Sequence, residues 1–137
     1  MSRAIPDTLR RKVAERAGYR CEYCLVPERF LATVFHIDHI RSIKHGGATV
    51  SENLAYACPH CNQNKGTDVA TFLDEDSEQT IRIFNPRKDN WGNHFKAVNG
   101  EILPKTAIGT ATVQVLEMNQ PDRLIFRQAL AESGYYP

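Results

Sequence analysis

The chain has 137 residues, of which 42% are hydrophobic and 24% are charged, and its formal net charge is +1. That length suits a single compact domain, residues 1–137, and is too short for two of ordinary size. No apolar stretch approaches the roughly 18 to 20 residues that span a bilayer, and residues 1–6 do not resemble a signal peptide. We therefore expect a soluble, cytoplasmic protein with no membrane partner, and the small net charge argues against a general polyanion binder.

The basic residues and the side chains that bind metals share one part of the chain. Residues 1–70 carry ten Lys or Arg against seven Asp or Glu, whereas residues 71–137 carry seven against nine. All four cysteines and four of the five histidines also lie within residues 1–70. A nucleic acid would therefore bind to residues 1–70, because affinity for a nucleic acid depends on basic side chains that neutralise its phosphates.

The N-terminal part is predicted to contain a helix, a β-rich segment and a short strand. A helix over 7–17 begins after Pro6 and ends before Gly18, residue types that favour those two positions. Apolar and β-branched residues make 30–40 a β-rich segment. A short helical turn at 51–54 and a brief strand then lead to the second pair of cysteines.

The C-terminal part is predicted to contain two helices, a strand and a hairpin. These elements are a short helix over 65–73, a strand over 80–84, a hairpin of 95–98 and 101–103 around Asn99-Gly100, and a last helix from Pro121 to Ala131. Trp91 and Phe95 lie four residues apart, as on one helical face, and we interpret them as core residues; a base-stacking platform is the alternative.

Two Cys-x-x-Cys pairs predict a structural zinc site. Cys21 and Cys24 form the first pair, Cys58 and Cys61 form the second, and 33 residues separate the pairs. Four thiolates close a tetrahedral Zn²⁺ site with no open position, so the zinc would be structural and not catalytic. A redox dithiol motif and unrelated free thiols are the alternatives, but neither pair lies in the βαβ pattern of a thioredoxin.

Between and just after the cysteine pairs lie residues suited to a second metal and to proton transfer. The carboxylate of Asp38 suits Mg²⁺ or Mn²⁺, and the neutral imidazole of the adjacent His39 takes a proton near pH 7. The carboxamide oxygen of Asn62 adds a further ligand, with water and a phosphate in the remaining positions. His36 would share the strand face of Asp38 and is either a third ligand or a structural histidine.

This set of motifs resembles the HNH endonucleases of the ββα-metal superfamily, or His-Me finger nucleases, of the bacterial type with a four-cysteine zinc site. The shared segments are Cys21-Glu-Tyr-Cys24, Asp38-His39-Ile40, Gly46-Gly47, Asn53-Leu54 and Cys58-Pro-His-Cys61-Asn62-Gln-Asn-Lys65-Gly66. The resemblance covers about residues 8–70. It implies an α+β fold with a ββα-metal, treble-clef-like core joined by zinc and preceded by an N-terminal helix. The C-terminal extension, about residues 71–137, is expected to add a hairpin and helices.

The resemblance also implies a metal-dependent endonuclease that hydrolyses phosphodiester bonds in DNA, with RNA left open, and that leaves a 5′-phosphate and a 3′-hydroxyl. His39 would be the general base. Asp38 and Asn62 would hold one divalent ion, and Asn53 would tether the loop between two strands. Asn62 stands where the family name anticipates a histidine, so the preferred metal stays open.

Basic residues near these motifs are candidates for contacts with the nucleic acid. They are Arg41, Lys44 and Lys65. Arg87 is a further candidate, because it lies in a motif that resembles one found in the C-terminal regions of some bacterial HNH proteins. The alternative for the whole chain is a non-catalytic, zinc-stapled module that binds nucleic acid without cutting it. The sequence leaves the oligomeric state open.

Overall fold

The computed structural model describes residues 4–137, so the first three residues of the predicted 1–137 domain lie outside the described range. Within that range the helices are α1 (Asp7–Arg16), α2 (Pro59–Lys65), α3 (Trp91–His94), α4 (Ala107–Val115) and α5 (Pro121–Glu132). The strands are β1 (His36–His39), β2 (Leu54–Ala57), β3 (Ala70–Thr71), β4 (Ile81–Arg82), β5 (Phe95–Val98) and β6 (Glu101–Pro104). They pair antiparallel as β1 with β2, β3 with β4 and β5 with β6. This mixture of helices and small sheets confirms the predicted α+β class.

Strands β1 and β2 and helix α2 form the ββα unit that the family resemblance implies. The register of the two strands places Asp38 opposite Ala55 and His39 opposite Leu54. All four residues of β2 are buried, so this strand anchors β1 to the core. Helix α2 begins at Pro59, because proline lacks the amide hydrogen that the first helical position leaves unused. The short connection from β2 brings α2 into contact with both strands.

Helix α1 packs its apolar side against β2. Val13 and Ala14 are buried there. Gly18 follows the helix with a φ of 64°, the left-handed conformation that commonly ends a helix. The guanidinium of Arg16 donates to the carbonyl oxygen of Leu54 at 2.7 Å. The helix predicted over 7–17 is therefore confirmed to within one residue, and its last residue is bonded to the start of β2.

Two predicted elements differ from the structure. The β-rich segment predicted over 30–40 is reduced to the four residues of β1, because Glu28–Phe30 form a 3₁₀ turn and Val34 is exposed. The prediction of a helix over 65–73 is wrong. Helix α2 ends at Lys65, since Gly66 takes a φ of 51° that stops it, and part of the following segment forms β3, paired with β4.

The C-terminal extension contains the predicted hairpin and last helix. Asn99 and Gly100 have φ values of 47° and 84°, and a type I′ turn requires positive values at both positions. A Cβ at Gly100 would lie 2.6 Å from the backbone nitrogen of Gln128 in α5. Only glycine therefore lets the turn approach α5 this closely. Helix α5 begins at Pro121, as predicted.

Helix α4 and the aromatic residues before it complete the packing of the extension. The rings of Trp91 and Phe95 have centroids 5.0 Å apart, and Phe95 is 1% exposed, so their interpretation as packing residues is confirmed. Burial of one such phenyl group is worth roughly 1.5 to 3 kcal/mol. Helix α4 is absent from the sequence prediction, although Thr106 is a favourable N-cap whose side chain accepts a hydrogen bond from the amide of Gly109. No helix in residues 4–137 is long and apolar enough to cross a bilayer.

Candidate metal centre and active site

The four cysteines converge on one buried point. Their Sγ atoms all lie within 4.8 Å of one another, and each cysteine is at most 2% exposed. Cys24 and Cys58, one from each pair, have their sulfurs 3.7 Å apart, close to the ~3.8 Å edge of a tetrahedron with Zn–S bonds of ~2.3 Å. The amides of Cys24 and Cys61 each donate to the sulfur of the first cysteine of their own pair, Cys21 and Cys58, at 3.4 Å. The predicted ligands therefore fit one closed tetrahedral Zn²⁺ centre.

Burial and mutual hydrogen bonding control the protonation of these thiols. Burial raises the pKa of Cys21 and Cys61, whereas hydrogen bonds from the neighbouring thiols lower the pKa of Cys24. The thiolate of Cys24 therefore forms more readily than those of Cys21 and Cys61. Zn²⁺ would displace the remaining protons, because the thiolate and not the thiol is the ligand.

Tyr23 connects the first cysteine pair to strand β1. Its side chain is fully buried, and its hydroxyl donates to Asp38 Oδ2 at 2.7 Å. The backbone of Tyr23 is also bonded, since Trp91 Nε1 donates to the Tyr23 carbonyl oxygen at 2.8 Å. The candidate zinc ligands and the candidate catalytic carboxylate are therefore joined through one buried side chain.

The carboxylate of Asp38 is buried and paired with Lys65. Asp38 is 5% exposed and Lys65 is 1% exposed, with Nζ 3.2 Å from Oδ2 and 3.0 Å from the carbonyl oxygen of His39. Burial raises the pKa of the Asp38 carboxyl above its ordinary value, although the Lys65 charge and the Tyr23 hydrogen bond oppose this effect. The expected contact between Lys65 and a phosphate does not fit this geometry, because its ammonium group lies inside the protein.

His39 lies at the end of β1 beside the loop that follows. Its Nε2 is 3.0 Å from the hydroxyl oxygen of Thr49. Burial lowers the pKa of His39, and Lys65 lowers it further, while the negative charge of Asp38 acts in the opposite direction. The net shift is downward, so the imidazole is mostly neutral at pH 7.

Asp38, His39 and Asn62 line one open cleft of about 430 Å³. Strand β1 contributes the first two residues and α2 contributes the third. The cleft therefore offers a carboxylate oxygen, a carboxamide oxygen and an imidazole, which suit a hard divalent cation and a proton acceptor. Since a carboxylate has about four lone-pair sites, the bonds from Tyr23 and Lys65 leave Asp38 able to bind a cation. His36 is exposed and is not part of the cleft lining, so we do not include it among the metal ligands.

Asn53 joins two points of the loop between β1 and β2. Its Oδ1 accepts from the amide of Arg41 at 2.9 Å, and its Nδ2 donates to the carbonyl oxygens of Arg41 and Ala48, each at 2.9 Å. Gly47 passes so close to this bridge that a Cβ there would lie 1.7 Å from the Arg41 carbonyl oxygen. The loop that carries Thr49 is thereby held against the end of β1.

The remaining basic candidates differ in accessibility. Lys44 is exposed and lines the cleft, and Arg41 is exposed with its Nε donating to the carbonyl oxygen of His45. Arg87, in contrast, pairs with Glu22 through Nη2 and donates through Nη1 to a backbone carbonyl oxygen of β2. The expected contact of Arg87 with nucleic acid does not fit, because its guanidinium is already used within the protein.

Sequence reasoning missed Tyr23 and Thr49, which hold Asp38 and His39. Tyr23 occupies an unspecified position of a Cys-x-x-Cys pair, and Thr49 lies in a loop ten residues beyond His39. Neither position carries a local signal, because the contacts depend on how distant segments meet.

Comparison with known proteins relates part of the chain to one nuclease family. Residues 21–68 match the family model described as HNH endonuclease. A stretch of 78 residues is 38% identical to a protein of Bacillus thuringiensis named Septu protein PtuB, and it covers 57% of this chain and 27% of that protein. The chain thus spans about a quarter of that relative's length. No solved structure matches the chain significantly.

Proposed function

We propose, on the premise that residues 21–68 match the HNH endonuclease family model, that the protein is a metal-dependent endonuclease that hydrolyses phosphodiester bonds in DNA. The observation that carries the proposal is the single cleft lined by Asp38, His39 and Asn62. A carboxylate, an amide oxygen and a neutral imidazole at one open site are the groups that metal-assisted hydrolysis of a phosphodiester needs.

His39 is the proposed general base. When Nε2 donates its hydrogen to the Thr49 hydroxyl, 3.0 Å away, Nδ1 is the nitrogen that carries the free lone pair. Nδ1 then takes the proton from the water that attacks phosphorus. The lowered pKa of His39 keeps this nitrogen unprotonated at pH 7.

Asp38 and Asn62 are the proposed ligands of the catalytic ion. A divalent cation held by these two residues would supply Lewis-acid stabilisation of the negative charge that develops on the phosphate. The Tyr23 hydroxyl and the Lys65 ammonium fix the orientation of the Asp38 carboxylate. Lys44, exposed at the edge of the cleft, and Arg41 are the proposed contacts with the DNA backbone.

The test is nicking of supercoiled plasmid by the zinc-loaded protein with Mg²⁺ or Mn²⁺. Since a general base contributes roughly 10²- to 10⁴-fold, we expect His39→Ala to lower the rate by at least about 100-fold. His36→Ala is the matched control, because His36 lies on the same strand but outside the cleft, and it should cut like the parent. Undiminished cutting by a folded, zinc-loaded His39→Ala protein would contradict the assignment.

A zinc-stapled module that binds nucleic acid without cutting it makes the opposite prediction. It requires plasmid to remain intact with every divalent metal while a gel-shift assay still detects binding. A panel of plasmid, linear duplex, single-stranded DNA and RNA substrates separates the two functions and identifies the preferred nucleic acid.

A further inference from the structure

Helix α5 carries two buried arginines one turn apart. Arg123 is 6% exposed and Arg127 is not exposed at all, and their spacing of four residues places them on one face of the helix. Both lie outside residues 21–68, the segment that matches the HNH family. A buried guanidinium is costly unless an opposite charge and hydrogen bonds compensate it, so each of these cations needs a partner.

Within the part of the chain that the structure describes, the two arginines have no carboxylate partner. Among residues 4–137, neither guanidinium forms an ion pair with Asp or Glu. Arg127 donates to the carbonyl oxygen of Gly100 at 2.7 Å and to Asn119 Oδ1 at 2.8 Å, and its Nη1 has no hydrogen-bond partner within the described chain. Backbone and amide oxygens satisfy hydrogen bonds, but they do not neutralise the positive charge.

The anionic groups beside Arg123 are the cysteine sulfurs. Nη2 of Arg123 lies 2.9 Å from Cys61 Sγ and 3.9 Å from Cys58 Sγ. Arg127 lines the same small cavity as Arg123, Cys24 and Cys58. The second cysteine pair is therefore in direct contact with α5, although more than 60 residues of sequence separate Cys61 from Arg123.

We propose that Arg123 and Arg127 are the counter-ions of the zinc–thiolate centre, and that α5 is therefore part of the metal site. Four thiolates around one divalent zinc carry a net charge of minus two. The two buried guanidinium groups carry plus two, so the whole cluster is neutral inside the protein. Arg123 also donates a charge-assisted hydrogen bond to a ligand sulfur, which stabilises the thiolate form.

Arg123 additionally ties the metal centre to the end of α4. Its Nη1 donates to the carbonyl oxygens of Leu116 at 2.6 Å and Glu117 at 3.1 Å, just after α4 ends. One guanidinium thus holds both a zinc ligand and the backbone of the C-terminal extension. Zinc occupancy and packing of the extension are therefore coupled, and the coupling does not depend on nuclease activity.

The test measures zinc affinity of the full chain by competition with a chromophoric chelator. Partners that orient metal ligands typically contribute 10- to 100-fold in affinity, so we expect Arg123→Met to bind zinc about 10- to 100-fold more weakly than the parent. Arg127→Met, which removes a charge without touching sulfur, should show a smaller loss. Leu130→Ala is the matched control for destabilisation, because Leu130 is a buried, uncharged residue of the same helix. It loosens the packing of the extension without removing a charge, so its zinc affinity should fall less than that of Arg123→Met.

Replacement of zinc by Co²⁺ gives a second readout that general destabilisation does not produce. The sulfur-to-cobalt charge-transfer band should shift in Arg123→Met and stay unchanged in Leu130→Ala. Arg123→Lys keeps the positive charge but loses the planar guanidinium group. It should therefore retain most of the zinc affinity while shifting the charge-transfer band. The same variant replaces Arg123→Met in both measurements if the methionine variant does not fold. Zinc affinity and cobalt spectra equal to those of the parent in the folded Arg123 variants would overturn the proposal.

Discussion

The hydroxyl of Tyr23 donates a 2.7 Å hydrogen bond to Oδ2 of Asp38 inside the protein. Tyr23 lies between Cys21 and Cys24, two of the four clustered cysteines, and Asp38 is a proposed ligand of the catalytic ion. A single side chain therefore connects the cysteine cluster to the proposed catalytic carboxylate.

Replacement of Tyr23 by phenylalanine removes this bond and leaves the buried carboxylate with one donor fewer. We expect the free energy of unfolding to fall by about 1 to 3 kcal/mol, the usual cost of losing a hydrogen bond to a charged group. We also expect Mn²⁺ affinity, followed by the paramagnetic resonance of free Mn²⁺, to fall roughly 10- to 100-fold while zinc content stays unchanged. Tyr56→Phe removes another tyrosine hydroxyl, which donates to Glu28 away from the cleft, and should leave Mn²⁺ affinity intact. Equal Mn²⁺ affinity in both variants would show that Tyr23 does not position Asp38.

Removal of zinc should release the contacts of the first cysteine pair. Trp91 is the one tryptophan of the chain, and its indole donates to the carbonyl oxygen of Tyr23, so its fluorescence reports on this region. A strong chelator should change the emission of Trp91 and lower the melting temperature, and added Zn²⁺ should reverse both effects. If neither the emission of Trp91 nor the melting temperature changed with zinc content, a structural zinc at this site would be contradicted.

Asn53 should contribute to stability through its three hydrogen bonds to the loop. Asn53→Ala is expected to lower the free energy of unfolding by only about 1 to 3 kcal/mol in urea denaturation, because all three bonds are solvent-exposed and water can replace them in part. Asn53→Asp keeps the acceptor for the Arg41 amide but turns a carboxylate oxygen toward the carbonyl oxygens of Arg41 and Ala48, which repel it. It should therefore destabilise the protein at least as much as Asn53→Ala. Glu52→Ala, one residue earlier in the same turn, should match the parent. A stability loss in Glu52→Ala as large as that in Asn53→Ala would mean that the bridge itself contributes nothing.

The pKa of His39 should lie below the ordinary histidine value of about 6.5. Burial is the main cause, and a lower pKa means that a larger share of the imidazole is neutral at pH 7. An NMR titration of the zinc-loaded protein without a second metal measures this pKa directly. Asp38→Asn should lower it further, since the Asp38 charge acts to raise it and the Lys65 charge would then act unopposed. A rise of the pKa in Asp38→Asn would contradict this account of the site.

The sequence by itself determined the features that depend on neighbouring residues. The two Cys-x-x-Cys pairs, the Asn99-Gly100 turn and the helix that begins at Pro121 each follow from preferences acting over a few residues. The relation of Asp38 to His39 is of the same kind, because adjacency on a strand makes their side chains point in different directions.

Only the tertiary structure decided where the long polar side chains end. The sequence predicts Lys65 and Arg87 as contacts with nucleic acid, yet buried Lys65 and half-buried Arg87 are each paired with a carboxylate far away in the chain. Arg123 likewise contacts a sulfur of the second cysteine pair. A charged residue must find a counter-charge when it is buried, but the sequence does not say which segments will be neighbours. For that reason the four cysteines were predictable, whereas Tyr23, which links them to Asp38, was not.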